Sequence, residues 1–322
     1  RLAVVRQIAA DLNDVAVLAE LAANPEQVSS CIRAVEGATA PSDDTAASGD
    51  TIDQALSSLT ILSTMPLSSS DADILGNGVS NLLLAGENVY SVDSSTTSEA
   101  QEDTAKEDAA NRTRQVSDLL KRVALSKAKA DRSLGANRSE LSTRSFNLVA
   151  HFPQSVRGSG FATGDSAIAV PSSGLDLDAQ KCDALPGEKF WRCGESCVPI
   201  CQGVQTIQMV EWSGSGPHYY VGRELQDTQE DVALGSSVLT VNFFDGNDEE
   251  HTVANLSQPV RISLHVSDLS KHPVVPNSSQ TVRCAYWSEV AGAWIAETQA
   301  AVLSPTEVVC NAMHFTEWAA FV

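Results

Sequence analysis

Apolar residues recur at helical spacing through the first third of the chain. Leu2, Val5, Ile8, Leu12, Val15 and Leu18 fall on one helical face, and Asn24-Pro25 ends that helix and starts a second. In the second helix Val28, Cys31, Ile32 and Val35 share a face before Gly37, which predicts a buried Cys31. Asp50 caps a third run through Ile52, Leu56, Leu59 and Leu62 that stops at Pro66, and Asp71 precedes a fourth through Leu75, Val79, Leu82 and Leu83 that stops at Gly86. The Ser/Thr-rich stretch 91–98 reads as a loop. A further helix over 102–132 is acidic in its first turns and carries Arg112, Arg114, Lys121, Arg122, Lys127 and Lys129 later, a polarity that suits the helix dipole and a solvated face.

From about Thr143 the period changes to two. Val260, Ile262, Leu264 and Val266 alternate with Arg261, Ser263 and His265, as in a half-buried antiparallel strand. Leu239, Val241 and Phe243 alternate likewise, and Asp245-Gly246 supplies a turn. The pattern predicts an α+β chain in two subdomains: a helical bundle over 1–140, then an antiparallel β-sandwich over 141–322.

Composition narrows the setting. With 322 residues the chain is long enough for two domains. Its 41 acidic against 21 basic residues, a net charge of −20, argue against nucleic acid or anionic membrane surfaces as partners. No apolar run approaches the ~18–20 residues of a membrane helix. The chain begins at Arg1 without a Met or a signal sequence, so it reads as a piece of something longer.

Seven cysteines and four sequons, at Asn111, Asn137, Asn255 and Asn277, point together to an extracellular or luminal compartment with glycan acceptors. Cys182, Cys193, Cys197 and Cys201 are spaced x10, x3, x3 with no His between them, which fits local disulfides of open connectivity better than the paired Cys-x2-Cys of a zinc site. Cys31 is the odd cysteine, read as a buried free thiol rather than a nucleophile. No metal or cofactor is expected.

The chemistry concentrates at 284–322. Cutting a backbone amide from within the chain needs a hydroxyl against the preceding carbonyl, a base for its proton, and a scaffold that holds the amide. Thr316 supplies a hydroxyl next to the Phe315 carbonyl, and His314, with an ordinary pKa near ~6.5, accepts a proton at neutral pH. Trp287 and Trp294 are expected to pack against this turn, and the apolar run Trp318, Ala319, Phe321, Val322 suits a buried strand. The alternative is a plain hairpin between two edge strands that His314 and Thr316 merely decorate.

This segment resembles the GPS motif that ends the GAIN domain of adhesion G-protein-coupled receptors and polycystin-type membrane proteins. Cys284, Trp287, Trp294, Cys310, His314, Thr316, Trp318 and Ala319 fall on the family's pattern of Cys-x-x-Trp, Trp, Cys-x-Cys-x-His-Leu-Ser/Thr and x-aromatic-Ala. Three departures stand out: the family's second Cys, expected near Gln299, and its fourth, expected at Ala312, are absent together, and Phe315 replaces Leu. The resemblance implies a Cys284–Cys310 disulfide and an extracellular module of a membrane receptor or polycystin-like protein.

Such a domain would cut Phe315–Thr316 by an N-to-O acyl shift and ester hydrolysis, and hold the strand from Thr316 non-covalently as a tethered agonist or force-sensitive joint. Its partners would be that strand, a membrane domain after Val322 and an extracellular protein ligand, with no nucleic acid. The competing function is an uncleaved adhesive spacer of the same fold. A hydrolase acting on external substrates is not expected, since the sequence lacks Gly-x-Ser-x-Gly, His-Glu-x-x-His, Walker and Gly-x-Gly-x-x-Gly motifs.

Overall fold

A computed structural model of the chain describes residues 2–40, 49–86, 99–153, 156–172, 175, 192–193, 196–197, 205–213, 225–226, 234–245, 248–254, 256–266, 282–288, 293–299, 301–304 and 306–321. The chain divides into two compact units, the first over Arg1–Phe146 and the second built from the described residues beyond it.

The first unit holds α1 (Leu2–Asp11), α2 (Val15–Ala22), α3 (Pro25–Thr39), α4 (Gly49–Leu62), α5 (Ser69–Gly86) and α6 (Glu99–Ser133). The single helix expected from Leu2 to Leu18 is two. Asp14 breaks it because its carboxylate accepts the Ala16 N–H at 2.8 Å and so caps a new helix. Asn24 caps α3 with Pro25 in its first turn, as the sequence indicates.

Asp50 lies inside the first turn of α4 rather than capping it. Asp71 likewise lies within α5, where it forms a reciprocal capping pair with Ser68: the Asp71 N–H donates to Ser68 Oγ at 3.1 Å and the Ser68 hydroxyl donates to Asp71 Oδ2 at 2.6 Å. Val28, Ile32, Val35, Leu56, Leu59, Leu75, Val79, Leu119 and Val123 form this unit's buried interior. Cys31 is half-buried and free, not fully buried as its face suggested. The 91–98 stretch lies outside the described residues.

The strands are β1 (Arg138–Ser142), β2 (Phe146–His151), β3 (Gly160–Thr163), β4 (Ser166–Ala169), β5 (Arg192–Cys193), β6 (Ser196–Cys197), β7 (Thr206–Trp212), β8 (Leu225–Gln226), β9 (Val238–Phe244), β10 (Glu250–His251), β11 (Val260–His265), β12 (Arg283–Ser288), β13 (Ala293–Gln299), β14 (Ala301–Ser304), β15 (Glu307–Ala312) and β16 (Glu317–Phe321). From β2 onward the larger sheet of the second unit runs β2-β7-β9-β16-β12-β13-β8 with β10 on β9, and the smaller runs β14-β15-β11-β4-β3. The chain is thus an α+β protein, helical first and a β-sandwich after.

Between the sheets lies one apolar core that includes Ile207, Met209, Leu239, Val241 and Phe243 from the larger sheet and Ile262, Leu264, Val308 and Cys310 from the smaller. β11 alternates buried and open positions as expected. In β9, by contrast, every residue is buried, including Thr240 and Asn242 on the face turned from the sandwich core. The alternation seen in the sequence marks chemistry there, not exposure.

Cys284 of β12 and Cys310 of β15 are disulfide-bonded, with a sequence separation of 26, and both are fully buried. The bond therefore ties one sheet of the sandwich to the other. A loop of that length stabilises the fold by about 3.5 kcal/mol through the entropy it removes from the unfolded chain. We expect Cys284→Ser with Cys310→Ser to lower the melting temperature by roughly 7–14 °C. Differential scanning calorimetry checks this, and an unchanged transition contradicts the staple.

Candidate functional site

The segment 313–316 is the crossing from one sheet to the other. β15, which delivers the chain to it, pairs with β11 and β14 in the smaller sheet, while β16, which leaves it, is inserted between β9 and β12 in the larger. Neither is an edge strand, so the hairpin alternative does not hold. A connection between layers must turn sharply, and neighbouring backbone holds this one on both sides of His314. The Leu256 N–H donates to Met313 O at 3.0 Å, and the Phe315 N–H donates to Val253 O at 2.9 Å. Val253 and Leu256 are themselves buried, which anchors the clamp in the core.

Phe315 points inward. It is 8 % exposed and meets Phe243 of β9 edge-on, with ring centroids 4.7 Å apart, so the core accommodates its ring through an aromatic contact. His314 sits at the solvent margin with 22 % of its side chain exposed. The edge contact with Tyr286 places the ring centroids 4.4 Å apart, and Trp318 lies 5.4 Å away. Its Nε2 is 3.6 Å from Glu297 Oε2. Burial pushes the His314 imidazole below its ordinary pKa and the Glu297 carboxyl above its own.

The Thr316 hydroxyl donates to Glu317 O at 3.3 Å rather than to the imidazole. The non-glycine residue with positive φ among those described is Asp248, so the tripeptide backbone carries no strain of that kind.

Trp287 and Trp294 meet each other across the sheet. They are direct cross-strand partners of β12 and β13, 5.7 Å apart edge to face, and Trp294 reaches Phe321 at 5.5 Å. Trp287 thus faces away from the sandwich core, whereas its neighbour Tyr286 and the opposing Trp318 face into it beside the tripeptide.

Trp318, Ala319, Ala320 and Phe321 are fully buried; Val322 lies outside the described residues. β16 is bonded on both sides. It pairs with β12 from Arg283↔Phe321 to Tyr286↔Trp318, and on the other side with β9, while Gly235 N–H donates to Ala320 O at 2.9 Å and Ala320 N–H to Ser236 Oγ at 2.7 Å. Trp318→Ala opens a cavity under the His314 ring and is expected to cost about 3–5 kcal/mol. Urea unfolding measures it, and a loss below ~1 kcal/mol would show that Trp318 does not anchor the strand.

The remaining candidates lie apart from this site. Asn111 on α6 and Asn137 before β1 are exposed, with Arg114 Nη1 donating to Asn111 Oδ1 at 3.2 Å, whereas Asn255 and Asn277 lie outside the described residues. The backbones of β5 and β6 pair around Cys193 and Cys197, but their side chains, and all of Cys182 and Cys201, lie outside the described residues. Burial and then Asp11 raise the Cys31 thiol pKa, which favours the protonated, unreactive form.

Tyr286, Glu297, Val253 and Leu256 were not anticipated. Tyr286 carried a signal, because it is two residues from Cys284 along a strand and so faces the same way. Glu297 carried none.

No protein-family model matches the sequence, and no curated protein does. Among solved structures, the fold is similar to that of the full extracellular region of zebrafish Gpr126/Adgrg6, with a TM-score of 0.55 and 13 % identity over 90 % of this chain and 34 % of that one. The chain thus spans about a third of that neighbour's length. At this identity the likeness is one of fold.

Proposed function

We propose that this chain is the membrane-proximal, self-cleaving GAIN-type domain of a larger surface protein, a receptor or a polycystin-like protein, lying on the extracellular side of the membrane. The observation that carries this reading is the crossing itself. A His-x-Thr tripeptide is clamped where the chain changes sheets, immediately before a strand that is interior to the larger sheet. A cut between Phe315 and Thr316 would divide the chain without releasing its end.

The chemistry balances with groups of this chain and one water. Thr316 Oγ1 attacks the Phe315 carbonyl carbon as its proton passes to His314. The tetrahedral intermediate then collapses by breaking the C–N bond, while the proton on His314 goes to the leaving nitrogen. The product is an ester between Phe315 and the Thr316 side chain, with a free Thr316 amine. Water hydrolyses the ester to a Phe315 carboxylate and restores the Thr316 hydroxyl. Met313 is 36 % exposed and His314 is at the solvent margin, so water has access to this end of the crossing.

Retention follows from burial. Trp318 and Phe321 each remove about 150–250 Å² from water, roughly 4–6 kcal/mol apiece at ~25 cal/mol per Å², before the ladder bonds on both sides are counted. The strand would stay in place at rest and leave under force, serving as a tethered agonist or a mechanical joint.

The Thr316 hydroxyl bond to Glu317 O favours a second reading, an uncleaved adhesive spacer of the same fold. The two separate on the secreted chain extended past Val322. The first gives one peak on native size exclusion that splits on denaturing electrophoresis, whereas a single band under both conditions supports the spacer.

A further inference from the structure

The pairing of β12 with β13 shifts register at one point: Cys284 opposes Thr298, but Ala285 opposes Ala296. Glu297 is therefore the extra residue of a β-bulge. A bulge leaves its residue without a ladder partner and turns its side chain from the strand's alternation. Glu297 Oε2 lies 3.6 Å from His314 Nε2, with 23 % of the Glu297 side chain exposed.

Resting on the reading of His314 as the base, we propose that Glu297 is its positioning residue, fixing the imidazole with the proton on Nε2 and raising its affinity for a second proton at Nδ1. A neutral imidazole has one N–H and one lone pair, and the group facing one nitrogen decides which is which. A carboxylate facing Nε2 favours the hydrogen there and leaves Nδ1 to accept the Thr316 proton. The ring rests against Tyr286 at 4.4 Å and Trp318 at 5.4 Å, contacts that limit its rotation. When His314 takes the proton, the imidazolium forms beside a negative charge, and it loses that proton again to the leaving nitrogen. Glu297 gives up and takes no proton in the cycle. The separation of 3.6 Å is longer than a hydrogen bond and must close as the charge develops.

The test uses two versions of the same chain. In the Thr316→Ala background, where cutting is blocked, nitrogen NMR of the imidazole reads the His314 tautomer and titration directly. Glu297→Gln is expected to lower the His314 pKa by at least about half a unit, a threefold change in proton affinity, and to reduce the Nε2–H population. Glu297→Asp should restore part of both.

In the Thr316 chain, Glu297→Gln is expected to slow cutting about tenfold at neutral pH and to move the acid limb of the rate profile to lower pH. A merely structural role would leave that limb in place. Unchanged His314 titration and tautomer in the Thr316→Ala, Glu297→Gln chain would overturn the proposal. If His314 responds to Glu297→Gln but the Thr316 chain never cuts, the proposal stands and the self-cleavage reading fails.

Discussion

Thr316→Ala is expected to abolish the break between residues 315 and 316 while leaving the fold intact. The substitution removes the attacking oxygen, and the amide then has only water to cut it, a loss of at least about 10⁴-fold. Structurally little is removed, because the hydroxyl makes a single 3.3 Å bond to the neighbouring carbonyl and the residue is only half-buried. A stability change within about 1 kcal/mol is expected. Thr316→Ser keeps the oxygen and should keep the cut. Fragment ratio on a denaturing gel and the melting curve report the two effects separately. Cutting that survives Thr316→Ala would move the nucleophile elsewhere.

His314→Ala has the second largest expected effect, a slowing of about 10²–10⁴-fold. The pH dependence carries the sign of the burial shift. Burial disfavours imidazolium and lowers the His314 pKa below its ordinary ~6.5, so the neutral, proton-accepting form persists further into acid than for a free histidine. Cutting should therefore persist further into acid than an ordinary histidine base would allow, and the His314→Ala chain should lack that acid limb. Pulse-chase of newly secreted protein across pH measures both. Near-normal cutting by His314→Ala removes it from the mechanism.

Much of the fold was legible because its signals are local. Heptad-like spacing gave the apolar faces of α3, α4 and α5, and Asn24-Pro25 marked a boundary that the structure keeps. Where a short polar side chain competes with the backbone, periodicity misleads: the apolar pattern continues through Leu12 and Val15, yet Asp14 ends one helix and caps the next. β9 fails differently, since polar Thr240 and Asn242 alternate with apolar residues but are buried, and burial on a second face leaves no mark on period two.

The site divides along the same line. His314, Phe315 and Thr316 are contiguous and were visible as a unit. The residues that surround them come from register and topology: Tyr286 through its place opposite Trp318, Val253 and Leu256 through backbone bonds that any residue types would make, and Glu297 through a bulge. The tryptophans show the converse. Trp287 and Trp294 stand out in sequence, but strand alternation turns Trp287 to the sheet face opposite Tyr286, where it packs on Trp294.

The central claim is that the chain cuts itself at one bond, and intact mass after denaturation tests it most directly, on protein secreted with several residues added beyond Val322. A species ending at Phe315 accompanied by a peptide beginning at Thr316 is the predicted result. A single uncut mass would contradict the account and leave a stable two-unit spacer with an idle His-Phe-Thr crossing.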